Sequence, residues 1–252
     1  MAKNFTFKQF HINAFQCGMP VSTDAILLGA WATTDFAKTI LDIGCGTGLL
    51  AIMCAQRNQT AYIEAIEIEE HAFNAATNNC LNSPWSSRLS VNHISLQDFV
   101  ISKKTFDTII CNPPYFTSGE ESISSQRAVA RHTSTLSHET LISCCQQLLN
   151  HNGSASIVLP KKEGLAFIDL LDNLPNEEST LALSRLTYVK TTINKPATRV
   201  LIELTHFIKS PLMQVNPLID QIQTANNQLI IHTGQGYSTE FIELTNQFYL
   251  KM

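Results

Sequence analysis

Leu41-Asp42-Ile43-Gly44-Cys45-Gly46-Thr47-Gly48-Leu49 is the stretch on which the fold of this chain turns. A short β-branched run, Thr39–Ile43, leads into three alternate glycines, and an apolar run with helical character, Leu49–Arg57, follows. Glycines at a strand-to-helix turn let a ligand approach the backbone and expose the N–H groups of the helix start. A dinucleotide fingerprint needs its third glycine at position 49, which is Leu49. The spacing is GxGxG instead, with an acid two residues before the first glycine. Asp42 would repel a pyrophosphate and attract a cationic or zwitterionic ligand. S-adenosylmethionine, with its sulfonium and α-amino group, fits that electrostatics better than NAD does. A plain glycine turn is the bland alternative.

Outward from this turn the chain alternates strand-like and helix-like runs. Ala61–Ile68 reads as a strand and Glu70–Leu81 as a helix. Leu89–Ile94 and Phe106–Cys111 are two further strands, and Leu136–Leu149 carries a helical stripe with Gly153 following as its stop. Ser156–Leu159 is a strand, Gly164–Leu174 a helix, and Leu181–Val189 with Arg199–Phe207 a closing pair of strands. This order predicts an α/β fold, Rossmann-like, with a mostly parallel sheet and helices on both faces. A single domain over residues 1–252 is expected. Its first 38 residues form an extension contributing to the cofactor site, with Ser22-Thr23-Asp24 opening an apolar helix to Trp31. A polar connection from Phe116 to Thr135 is long for a compact domain, and loops of that length are usually functional.

Composition narrows the classes. The 252 residues hold 17 basic and 21 acidic side chains, a net charge of −4, which excludes a globally basic nucleic-acid binder but not a local basic patch. No apolar run reaches the ~18 residues of a membrane helix, and the start has no continuous apolar segment of the signal-peptide kind. The seven cysteines include no CxxC pair, so buried reduced thiols in a cytoplasmic enzyme are expected, without a metal. No HExxH or GxSxG occurs, which removes the common zinc-protease and serine-hydrolase signatures.

Two acids follow at the ends of later strands. Glu67 closes the second strand, where a carboxylate can accept hydrogen bonds from ribose hydroxyls. Asp98 follows the third strand and could accept from an adenine amino group, though such a residue is as often a simple turn residue. The sharpest motif is Asn112-Pro113-Pro114-Tyr115, about 70 residues after the glycine turn. Two prolines stiffen the backbone and remove two N–H groups. The side-chain oxygen of Asn112 and the carbonyl of Pro113 remain as convergent acceptors for a planar NH₂ group, and Tyr115 offers a ring face for stacking. Holding both amine hydrogens draws the nitrogen lone pair out of conjugation and aims it at an electrophile.

Together, the glycine turn and Asn112-Pro113-Pro114-Tyr115 resemble the class I, Rossmann-like S-adenosylmethionine-dependent N-methyltransferases acting on exocyclic or amide nitrogen. The N-terminal stretch Phe15-Gln16-Cys17-Gly18-Met19-Pro20-Val21-Ser22-Thr23-Asp24 is similar to the start of the bacterial tRNA1(Val) (adenine-37-N6)-methyltransferases. Arg131-His132, Leu136-Ser137-His138-Glu139 and the ending Asn246-Gln247-Phe248-Tyr249-Leu250 share that likeness. The resemblance implies N6-methylation of an adenine in a tRNA anticodon loop. Asn112, Pro113 and Tyr115 would form the catalytic set. For the cofactor, S-adenosyl-L-methionine, it implies Asp42, Gly44 and Gly46 at the methionine end and Thr23 at its carboxylate side. Glu67 would then sit on the ribose and Asp98 on the adenine amino group, with Asn112 bordering both sites.

Three rivals remain at this stage. A protein glutamine methyltransferase acting on release factors would use the same acceptor pair, but usually carries a helical N-terminal domain, and only 41 residues precede Asp42. An rRNA or DNA adenine methyltransferase is the second, the DNA enzymes typically needing a separate recognition domain. A degenerate binding module without catalysis is the third, and the intact Asn112, Pro113 and Tyr115 argue against it. Contacts to RNA must come from local basic residues. Arg127, Arg131, Lys161 and Lys162 are the first candidates, with Lys8, Lys190, Lys195 and Arg199 behind them, and for each a solvated surface charge is the default reading.

Overall fold

Several helix starts carry a local reason for their position. Ser22 caps the first helix through the Ala25 N–H, Glu69 caps another through His71 and Ala72, and Ser137 and Ser238 do the same through Thr140 and Phe241. The computed structural model describes residues 4–15, 17, 21–113, 136–174, 180–207 and 228–251. Along it run β1 (Phe5–Thr6), β2 (His11–Ile12), α1 (Thr23–Trp31), β3 (Thr39–Ile43), α2 (Leu49–Arg57), β4 (Tyr62–Glu67) and α3 (Glu70–Leu81). Next come β5 (Leu89–His93), α4 (Leu96–Val100), β6 (Phe106–Cys111), α5 (His138–Leu148), β7 (Leu149–Pro160) and α6 (Lys161–Asp172). β8 (Leu181–Thr192), β9 (Arg199–His206), β10 (Gln228–Thr233), β11 (Gly236–Tyr237) and α7 (Thr239–Thr245) complete the order.

Nine of the eleven strands form one sheet in the order β11-β10-β8-β9-β7-β6-β3-β4-β5, while β1 and β2 pair antiparallel with each other. β5, β4, β3, β6 and β7 are mutually parallel, while β9 runs antiparallel between β7 and β8. Alternation along the central strands feeds two cores. Ile40 and Ile110 face the layer holding α1, α2 and α7, whereas Leu41, Ile43, Ile109 and Cys111 face the layer holding α4, α5 and α6. A strand buried on both faces needs the continuous apolar runs that β3 and β6 carry.

Several expectations needed revision. Gly153 does not stop a helix: α5 ends at Leu148, and β7 begins at Leu149, seven residues before the expected Ser156. Between the pairs Phe106↔Leu149 and Thr108↔Ser154 the register slips, and a Cβ on Gly153 would lie 2.8 Å from the Asn150 carbonyl oxygen and 3.0 Å from that of Asp107. Gly153 therefore serves close backbone approach at a bulge. Gly164 sits inside α6 for a similar reason, since a Cβ there would lie 2.1 Å from Val200 Cγ2. The expected closing pair of strands is followed by β10 and β11, which extend the sheet beyond β8, and by α7.

Candidate cofactor and methyl-transfer site

The turn after β3 is built on three left-handed glycines, Gly44 (φ +66°), Gly46 (φ +56°) and Gly48 (φ +80°). Only glycine adopts such angles without a penalty of ~1–2 kcal/mol. A Cβ on Gly44 or Gly46 would meet nothing within 4 Å, so both border open space, whereas one on Gly48 would press against Ala76 Cα and Cys80 Sγ at 3.3 Å. The first two glycines thus leave a backbone cradle open, and the third lets α3 pack close. The Ile66 carbonyl accepts from the N–H groups of Gly44 and Cys45, anchoring the turn to β4.

Glu67 closes the cradle. Its Oε2 accepts from the Gly46 N–H at 2.9 Å, and its Oε1 from Ile68 and Glu69 at 2.8 and 2.9 Å. Asp42 lies fully buried, with Oδ2 accepting from the Ala51 N–H of α2 at 3.0 Å and Oδ1 without a hydrogen-bond partner. Burial pushes its carboxyl up to about 7, against the Ala51 bond and with some help from Glu67. Asp42 is therefore an internal brace between the turn and α2, with one carboxylate oxygen unused. The donor-rich glycine turn, the Glu67 carboxylate and the orphaned Asp42 oxygen fit a zwitterionic, ribose-bearing cofactor.

Asn112 and Pro113 follow β6 directly. The register pairs Ile43 with Cys111, so the glycine turn and Asn112-Pro113 leave adjacent strand ends, the crevice where open α/β sheets bind ligands. Asn112 is partly exposed and Pro113 buried. Asp98 is exposed in the first turn of α4, accepting from Ser95 Oγ at 2.6 Å, a helix-start arrangement. Lys161 and Lys162 open α6 at this same sheet edge, with Lys161 Nζ 5.7 Å from the Tyr188 ring centroid. Thr23, the first residue of α1, lines a cleft beside β8, β9 and β10. Tyr115, Arg127, Arg131 and the whole stretch from Phe116 to Thr135 lie outside the described residues.

All seven cysteines are buried, and none forms a disulfide. Burial raises the Cys111 thiol well above its ordinary range, so the residue before Asn112 is no ready nucleophile. Among the described residues no cluster of histidines, cysteines and acids could hold a metal, and no helix is long and apolar enough to cross a membrane.

Residues 19–182 match the methyltransferase small domain family. Over its full length the chain is 46% identical to the whole of the tRNA1(Val) (adenine(37)-N6)-methyltransferase of Aliivibrio salmonicida. It is 47% identical, over 99% of its length and 97% of the relative's, to the protein of that name from Vibrio parahaemolyticus. This chain belongs to the tRNA1(Val) (adenine(37)-N6)-methyltransferase family. Solved structures share the fold: a predicted O-methyltransferase from Agrobacterium tumefaciens aligns with TM-score 0.64 at 20% identity, over 89% of this chain and 96% of its own. A putative transferase from Pyrococcus horikoshii gives 0.56 at 14%, over 82% and 72%.

One residue that braces the candidate site stands in no motif. Asn79, 2% exposed, donates from Nδ2 to the Thr47 carbonyl at 2.9 Å and to the Asn13 carbonyl at 3.0 Å. Its Oδ1 accepts from the Asn13 N–H at 3.0 Å. A single buried amide thus ties the N-terminal segment to the glycine turn. The signal was present: Ala72, Ala75, Ala76, Asn79 and Cys80 form the buried stripe of α3, and Asn79 is its polar member.

Proposed function

We propose that this chain transfers a methyl group from S-adenosyl-L-methionine to N6 of an adenine in tRNA, at position 37 of tRNA1(Val). The observation that carries the chemistry is the parallel register Ile43↔Cys111, which sets the cradle and Asn112-Pro113 side by side. Full-length identity to relatives bearing that substrate in their name supports adenine in tRNA over a release-factor glutamine, which would suit the same acceptors.

When bound, the cofactor supplies an electrophilic methyl group on a sulfonium. Gly44 and Gly46 give it backbone access, and Glu67 accepts from its ribose hydroxyls through lone pairs the backbone N–H groups leave over. Asp42 braces the turn near its methionine end, while Asp98 at the start of α4 takes the adenine amino group and Thr23 the carboxylate side. Asn112 and Pro113 accept the two hydrogens of the substrate amine, fixing its lone pair toward the methyl group, with Tyr115 stacking on the extruded base. The proton of the methylated amine passes to water. Lys161, Lys162, Arg127 and Arg131 supply contacts to phosphate in an otherwise acidic protein. The N-terminal segment, held by Asn79, forms a wall beside the cofactor within one domain.

The test is methyl transfer from labelled cofactor to separate pools of unmodified tRNA, rRNA, DNA and release factor, with nucleosides identified by mass. N6-methyladenosine in tRNA is expected; label confined to release factor overturns the substrate. Asn112→Ala should lower transfer by about 100-fold or more while cofactor binding is kept, and activity within a few-fold of wild type removes the acceptor mechanism.

A further inference from the structure

The strand register puts a step into the sheet edge that holds Asn112. Cys111, the residue before it, stands level with Ile157 of β7, Ile157 with Ile202 of β9, and Ile202 with Leu186 of β8. β6 ends at that level, whereas β8 runs six residues further, to Thr192, before the chain turns back into β9 at Arg199. At ~3.3 Å per residue the β8–β9 hairpin rises about 20 Å above the level of Cys111. β10 supports it from outside, pairing as far as His232↔Thr192. The glycine cradle and Glu67 take up the ends of β3 and β4 on one flank of Asn112. The hairpin stands on the other flank, two to three strands or about 10–15 Å away at ~4.8 Å per strand. A large substrate that reaches Asn112 therefore lies against this wall.

We propose that the β8–β9 hairpin is a docking wall for the phosphate backbone of the RNA whose adenine is methylated; the proposal rests on the RNA substrate argued above. From Leu181 to Ile202 the hairpin carries four basic residues and no acid, in a chain of net charge −4. Its two arginines are committed to the fold. Arg185 pairs with Glu203 at 2.8 Å and lies 3.6 Å from the Trp31 ring centroid, and Arg199 pairs with Asp24 at 2.8 Å. Its two lysines are not so committed. Among the described residues no ion pair involves Lys190 or Lys195, nor Lys161 and Lys162 at the start of α6. Alternation along β8 sends Val189 toward α1 and Tyr188 toward α6, so Lys190 leaves the sheet on the side of Tyr188, whose ring Lys161 Nζ approaches. The Lys161 N–H donates to the Thr198 carbonyl at 3.0 Å and the Lys195 N–H to that of Thr192 at 3.1 Å, which joins the start of α6 to the hairpin turn. Lys195 and Thr198 are exposed. Ammonium groups without carboxylate partners, beside a free-standing hydroxyl, match the phosphate and sugar of a nucleic-acid backbone. The place of the wall beside Asn112, as well as its charge, selects the strand that carries the target adenine.

The experiment measures binding and methylation of unmodified tRNA, across a range of salt, by wild type, Lys190→Gln, Lys195→Gln, the double glutamine variant and the double arginine variant. Lys38→Gln is the control, its lysine being exposed just before β3, at the opposite edge of the sheet. The double glutamine variant should raise Kd and KM for tRNA about 10- to 100-fold, and each single variant less. Neither kcat at saturating tRNA nor the Kd of S-adenosylmethionine should move. The slope of log affinity against log salt should fall by ~0.7–0.9 for each lysine removed. The double arginine variant, which keeps the charge, and Lys38→Gln should both bind tRNA within about two-fold of wild type. An unchanged Kd and salt slope in the double glutamine variant overturns the wall while leaving the methyltransferase assignment standing. So does an equal loss in Lys38→Gln, or a loss of affinity with an unaltered salt slope, which a merely structural role would give. Methyl label confined to release factor, or absent from every RNA with wild type, overturns the substrate reading and the wall with it.

Discussion

Replacing Asn79 by alanine severs the link between the N-terminal segment and the glycine turn, and the cost follows from its three hydrogen bonds. The Asn13 backbone is partly exposed, so its N–H and C=O can turn to water, and those two bonds are worth ~0.5–1.5 kcal/mol each. Thr47 is 6% exposed, and a buried carbonyl left without a partner costs ~1–3 kcal/mol. Asn79→Ala should therefore destabilise the fold by about 2–6 kcal/mol, or about 4–24 °C in Tm for a chain of this size. Thermal unfolding with and without S-adenosylmethionine reads both consequences. Because the freed turn must be ordered again by the cofactor, its affinity should fall about ten-fold, equivalent to ~1.4 kcal/mol. Asn79→Asp is the sharper variant. It keeps one acceptor for Asn13 but turns a carboxylate oxygen toward two carbonyls, and it should be less stable than the alanine variant at neutral pH. A Tm within 2 °C of wild type with unchanged cofactor affinity, or an aspartate variant as stable as wild type, would refute the clamp.

The remaining predictions concern the brace and the packing. Burial holds Asp42 at about 7 against an ordinary 3.8, so the unfolded chain ionises there first. The folded state should lose stability as pH rises from about 4 to 7, by roughly 4 kcal/mol at ~1.4 kcal/mol per unit. Asp42→Asn keeps an oxygen for the Ala51 N–H and does not titrate, so the Tm advantage of the variant over wild type should grow across that window; parallel Tm–pH curves would count against it. Gly164→Ala should lower the denaturant midpoint, because overlap with Val200 at ~1–3 kcal/mol outweighs the ~1 kcal/mol of helix propensity gained. A more stable variant would mean that Val200 turns aside at little cost.

Much of this was legible in one dimension. β3, α2, α3 and β6 run over the residues that periodicity and the glycine punctuation predict, because a doubly covered parallel strand must be continuously apolar and a ligand-facing turn must be glycine. Asp42, Glu67 and Asn112 were legible for the same reason, since each stands at a fixed offset from a strand end. What the sequence could not fix is what depends on contacts distant along the chain. Gly153 looked like a helix stop, yet its role comes from carbonyls of β6 and of Asn150 that crowd it. Asn79 stands in no motif, and it faces inward because Asn13 and Thr47, 66 and 32 residues away, converge on it. Asp42 carried the right charge for a sulfonium, and only enclosure under α2 made it a brace near neutrality. The cleft around Tyr237 joins residues from Thr23 to Tyr249, a juxtaposition made by the strand order of the sheet. Periodicity reports on the face a residue must bury, and local spacing on the turn it must make; which partners meet across that face is decided by the topology that closes over it.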